Sequence, residues 1–144
     1  MPITSIANAR DVLTAFVATT WAAEAGGAPL LHDNLGATRP ETPALFGRVV
    51  VRHADGENPF LGSSRGRDFG TLFVQLFAPE GVGTTALDVI SDALVRALRS
   101  VGPGDLSGIR LLNISSTELG IDPSDRQYHQ VNVSAAFSYD TFIA

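Results

Sequence analysis

With 144 residues, 44% of them hydrophobic and 17% charged, the chain has the size of one globular domain that buries roughly two-thirds of its unfolded surface. A formal charge of −5 with no cationic run excludes a general nucleic-acid binder, because phosphate neutralisation needs clustered cations. The absence of cysteine excludes a disulfide framework and a thiolate metal site. Neither a basic-then-apolar leader nor an apolar run near ~18 residues is present, so a soluble, unexported chain without a membrane span is expected.

The first predicted helix runs from Ser5 to Glu24. Ile6, Ala9, Leu13, Phe16, Val17 and Thr20 recur at helical spacing, Thr4 or Ser5 can cap it, and Gly26-Gly27 with Pro29 stop it. Ala28 to Pro43 reads as an ordered connector whose Leu30, Leu31 and Leu35 need burial. A first strand, Leu45 to His53, alternates Leu45, Val49 and Val51 against Phe46, Arg48, Val50 and Arg52. A second strand, Asp68 to Ala78, breaks at Glu80-Gly81-Val82-Gly83 and gives way to an amphipathic helix. That helix begins with Thr85 and Asp88 in a capping-box arrangement, buries Leu87, Ile90, Leu94 and Leu98, and exposes Asp92 and Arg96 as an i,i+4 pair. Two strands follow, Ile109 to Thr117 and Gln127 to Tyr139. The last sets Val131, Val133, Ala135, Phe137 and Tyr139 on one face and Gln130, Asn132, Ser134 and Ser138 on the other, so it is expected to be half exposed. The order is α-β-β-α-β-β. It predicts an α+β fold in one domain, residues 1–144, with one mainly antiparallel sheet of about four strands packed against two helices on one face.

The second strand is apolar on both sides, with Leu72, Val74 and Leu76 pointing one way and Phe69, Phe73 and Phe77 the other. Half-exposed antiparallel strands do not look like this. Three covers fit the second face: helices split across the sheet, the proline-rich connector folded beneath it, or a neighbouring copy of the chain, which is the favoured reading. The connection Ala54 to Arg67, ADGENPFLGSSRGR, also exceeds the about 2–5 residues of a hairpin. Phe60 and Leu61 form an apolar anchor there, and Arg65 and Arg67 supply planar donors for carboxylates. The expected interface residues are therefore Phe60, Leu61, Arg65, Arg67, Phe69, Phe73 and Phe77.

Patterns that imitate catalytic motifs point elsewhere. Gly62-Ser63-Ser64-Arg65-Gly66 satisfies G-x-S-x-G, but a nucleophile elbow sits between a strand and a helix, whereas Ser64 leads into a strand. Gly81-Val82-Gly83-Thr84-Thr85-Ala86 opens a helix as a dinucleotide fingerprint does, yet Gly102-Pro103-Gly104-Asp105 interrupts the βαβ continuation, so the glycines read as turn punctuation. His32, His53 and His129 have no ligand spacing. Asp88 and Asp92 have the spacing for a divalent cation, but read as a solvated helix face near Arg96. No cofactor, metal or catalytic residue is expected.

The run DFGTLFVQLFAPEGVGTTALDVISDAL, preceded by PALFGRVVVRH and followed by LGIDPSDRQYHQVNVSAAFSYD, resembles the tail terminator (tail completion) proteins of long-tailed phages and related tail-like particles, from about Leu30 to Phe142. The matching positions are Arg67, Gly70, Phe77, Pro79, Gly81, Gly83, Asp88, Tyr128, Val131, Val133 and Phe137. The resemblance lies in the ordered series, not in any one residue. It implies a homo-oligomeric, usually hexameric ring at the head-proximal end of a virion tail. Such a ring halts growth of the tail tube protein, docks the head-tail connector or neck protein, and lets DNA pass through its lumen without specific binding. It implies no reaction. A phage tail or a gene transfer agent fits equally. Another small tail or neck protein, such as a tube subunit or adaptor, is the alternative, and a small hydrolase or nucleotide-binding enzyme the remote one.

Overall fold

The computed structural model describes residues 5–32, 40, 43–54, 56, 65–81, 83–102, 104–122 and 127–142. Helix α1 spans Ile6–Glu24, and Ser5 caps it by accepting the Asn8 amide at 3.1 Å. Its buried stripe is Ala9, Leu13, Val17 and Trp21. These steps of four lead back to Ser5, not to Ile6, so the expected burial of Ile6 is corrected: it is 54% exposed. Gly26, at φ 60, turns the chain out of the helix. Trp21, which periodicity did not single out, is buried and donates its indole N–H to the Ala28 carbonyl at 2.7 Å.

The α+β fold is as expected, but among the described residues the sheet has five strands in the order β1-β2-β3-β5-β4. The extra strand, β1 (Leu30–His32), lies in the predicted connector and pairs in parallel with β2 (Phe46–His53), Leu31 opposite Arg48. Three residues are too few to show alternation. β3 (Arg65–Pro79) runs antiparallel between β2 and β5 (Tyr128–Phe142). It begins three residues before the expected Asp68, because Arg65, Gly66 and Arg67 pair with Phe142, Thr141 and Asp140. The partner strand, not local pattern, carries those residues into the sheet.

Helix α2 (Thr85–Arg99) buries Leu87, Ile90, Leu94 and Leu98 as expected. Its N-cap is Thr84 instead of Thr85, and no side chain caps the backbone there. The Thr84 hydroxyl instead donates to the Asp88 carboxylate at 3.4 Å. Arg96 bonds the Asp92 backbone carbonyl at 3.3 Å rather than the expected carboxylate. β4 (Arg110–Ile121) forms one edge and reaches beyond the expected Thr117. Register shifts at Leu112/Ser115 and Glu118/Gly120, with Asn113 at φ 55 and Gly120 at φ 76, make bulges that blunt this edge against further strand pairing.

Strand alternation and register define two faces. Val49, Val51, Leu72, Val74, Leu76, Val131, Val133, Ala135 and Phe137 join the buried stripes of both helices in one core. At Gly47 the sheet must be bare, since an added Cβ would lie 2.6 Å from the Trp21 ring. Both helices therefore occupy one side, and among the described residues the opposite side is free of helix.

Candidate functional site

The helix-free face is not uniform. At one end Phe46 stacks on Phe77 with centroids 4.6 Å apart, Tyr128 meets Phe46 edge-on at 5.1 Å, and Leu31 completes a second buried cluster. Leu31 comes from β1, so the connector does contribute to covering this end. Phe77, 2% exposed, is sealed within its own chain and is withdrawn as an interface residue.

Past this cluster the face opens. Antiparallel register places Arg48, Gln75 and Asn132 on one rung, then Val50, Phe73 and Ser134, then Arg52, Thr71 and Ala136. Arg48, Val50, Arg52, Phe73, Gln75 and Asn132 line a shallow hollow of about 300 Å³. Phe69 and Phe73 are half-buried, so the expectation of a strand buried on both sides holds within the single chain only for the Phe77 end. Leu112, 59% exposed, extends this apolar surface to the β4 edge through its pairing with Ala136. The amide and hydroxyl groups of Gln75, Asn132, Thr71 and Ser134 surround it, giving an apolar centre with a hydrogen-bonding margin.

Charge on this face is one-sided. Among the described side chains, Arg48, Arg52, Arg67 and Arg110 project from it against a single carboxylate, Asp140. Arg67 Nε lies 2.8 Å from Asp140 Oδ1 and Arg110 Nη2 3.4 Å from the same oxygen, with the Asp140 side chain 11% exposed. Arg67 is thus a strand residue tied to its own chain, not a loop donor awaiting a partner. Arg65 opens β3, and Phe60 and Leu61 lie outside the described residues. The structure brings Phe69, Phe73 and Arg67 onto one face. Arg48, Arg52, Gln75 and Asn132 were not expected as site residues. Their signal was the alternation Arg48-x-Val50-x-Arg52, which puts two guanidiniums and a valine on one side of a strand.

A second polar cluster lies on the helix side of the sheet. His53 Nε2 is 2.9 Å from Tyr139 Oη, and the imidazole meets Phe137 edge-on at 5.4 Å. His53 Nδ1 is buried without a hydrogen-bond partner. Placing the proton on Nε2, donating to the phenol, leaves only a lone pair orphaned, which costs less than a stranded N–H. Burial, and then the Arg10 guanidinium, hold the imidazole below its ordinary pKa, against a smaller opposing pull from Asp68. Burial, reinforced by Asp68, pushes the Tyr139 phenol up. At neutral pH this cluster is an uncharged bond joining β2 to β5.

The imitation motifs gain no support from geometry. Gly81 and Gly83 sit at φ 90 and φ 83, conformations that turns require of glycine. His129 Nε2 lies 3.0 Å from Glu118 Oε1. Ser64 lies outside the described residues, and among those described no three His, Asp or Glu side chains are grouped as metal ligands.

No protein-family model matches the sequence, nor does any curated protein. One solved structure superposes with a TM-score of 0.69 over 97% of this chain and 99% of its own, at 18% identity. That likeness is one of fold.

Proposed function

We propose that this chain is a structural subunit of a phage tail or related tail-like particle. It forms a ring, hexameric by resemblance, at the head-proximal end of the tail, where it stops tube polymerisation and docks the connector. The observation that carries this reading is the open, arginine-bearing sheet face centred on Phe73. A half-buried aromatic flanked by guanidiniums and amides is suited to packing against protein. The ordered sequence resemblance names the kind of assembly. On this reading no catalysed reaction or cofactor is involved, and the particle is put together in the host cytoplasm. DNA crosses the lumen without specific contacts, and the arginine-bearing sheet face is turned toward protein rather than toward the passage. Net negative charge per copy favours that passage by repelling phosphate.

The test is electron microscopy of particles made without this chain. Tails that run overlong and fail to join heads are expected, whereas normal-length, head-joined tails overturn the proposal. A tube subunit, the alternative reading, is told apart by the purified chain growing into open-ended tubes instead of stopping at one ring.

A further inference from the structure

Resting on the ring reading above, we infer that the ring closes by a head-to-tail contact, in which the open sheet face of one copy receives the first turns of α2 from the next. The receiving surface is the hollow floored by Val50 and Phe73 and bracketed by Arg48 and Arg52. The entering surface is Val89, 54% exposed, beside the ridge formed by the exposed Asp88 and Asp92 one helical turn apart. One side offers an apolar hollow between two cations, and the other an apolar residue beside two anions.

Reach and placement support the match. Asp88 and Asp92 are ~6 Å apart along a helix, and Arg48 and Arg52 ~13 Å apart along a strand. Arginine side chains reaching inward from the two ends of the hollow can thus meet both carboxylates of a helix laid along β2, one at each end of its acidic ridge. The more distant α2 cations are turned to backbone carbonyls of their own chain, Arg96 to Asp92 at 3.3 Å and Arg99 to Ile114 at 3.0 Å.

The two surfaces lie on opposite sides of the sheet, because α2 packs on the helix face. A chain therefore cannot satisfy its own hollow with its own helix. A two-fold pairing of sheet faces would set the guanidiniums of one copy against those of the other, since among the described side chains four arginines face a single carboxylate there. A contact joining different surfaces is heterologous, and repetition of it closes a ring or extends a filament.

The experiment is native mass spectrometry of purified full-length protein over a concentration series, with circular dichroism as the folding control. Arg48→Glu/Arg52→Glu and Asp88→Arg/Asp92→Arg are each expected to raise the assembly midpoint at least tenfold. The chain carrying all four changes is expected to recover assembly, because the reversed surfaces again complement one another. Face-to-face pairing predicts the opposite for that chain, as its glutamates would repel across the contact. Asp88→Asn/Asp92→Asn is the milder variant should reversed charge disturb the helix start, and an intermediate shift is expected. Rings that persist in both reversed variants, or a folded four-fold variant that stays dissociated, overturn this contact while leaving the ring reading standing. A wild-type chain that remains monomeric at every concentration overturns both.

Discussion

The two faces of β3 differ in what completes them. On the helix side Leu72, Val74 and Leu76 are fully buried by elements of the same chain. On the other side only Phe77 is enclosed, by Phe46, Tyr128 and Leu31, while Phe69 and Phe73 are half-buried. The same apolar alternation therefore meets two outcomes among the described residues: a folding core where helices close over it, and a half-open surface past Phe77 on the other side. Hydrophobicity of a strand face reports that it will be covered, not by what.

Truncating the two faces is the most direct challenge to this contrast. Leu76→Ala is expected to lower unfolding stability by about 2–5 kcal/mol in urea titrations, from lost transfer free energy and the cavity left behind. A loss below ~1 kcal/mol would mean the helix face is not the core. Enlarging the sheet where Trp21 lies on it comes next. Gly47→Ala drives a methyl against the indole and is expected to cost about 1–3 kcal/mol by overpacking, read as a lowered melting temperature with reduced near-ultraviolet ellipticity. Unchanged signals would show that the ring of Trp21 does not rest on β2.

Phe73→Ala separates the faces most cleanly. Half-burial scales its cost in the isolated chain down to about 1–2 kcal/mol, well under the value for a core phenylalanine, while assembly should suffer disproportionately. A stability loss above about 3 kcal/mol, with assembly falling only in step with folding, would show that this face belongs to the monomer core.

The smallest effect is expected from pH. The His53 imidazole titrates below its ordinary pKa of about 6.5 when folded. As pH falls through that value the unfolded chain takes up the proton first, and stability should drop until the folded-state pKa is passed. Tyr139, raised in the folded state, should produce the mirror loss above pH about 10. Unfolding free energy measured between pH 7 and 5 should fall more steeply for wild type than for His53→Gln. Parallel slopes would indicate that His53 is solvated in the folded protein.

Much of the local structure was legible in the sequence. The capping serine and helix-stop glycines bounded α1, the 3.6-residue period of α2 named its buried side, and strict alternation in β5 sorted its residues correctly between faces. What sequence left open followed from partners distant along the chain. β1 exists because three connector residues lie beside β2. β3 extends back to Arg65 because β5 runs to Phe142 opposite it. The ion pair of Arg67 with Asp140 joins residues 73 positions apart, and no local pattern announces it. The open face was half legible, since Phe69 and Phe73 signalled an apolar surface, whereas Arg48 and Arg52 looked like ordinary solvated alternation until register set them beside Phe73.

By itself, then, the sequence determined the α+β class, the order of its principal elements and the two-sided apolar character of β3, because these depend on periodicities of two and 3.6 residues within short windows. Only the tertiary structure decided that Phe77 is enclosed while Phe73 is left at a hollow, and that arginine gathers on the sheet face opposite the helices of an acidic chain. Those outcomes depend on strand order and register, which are set by pairing free energies summed over residues far apart in sequence.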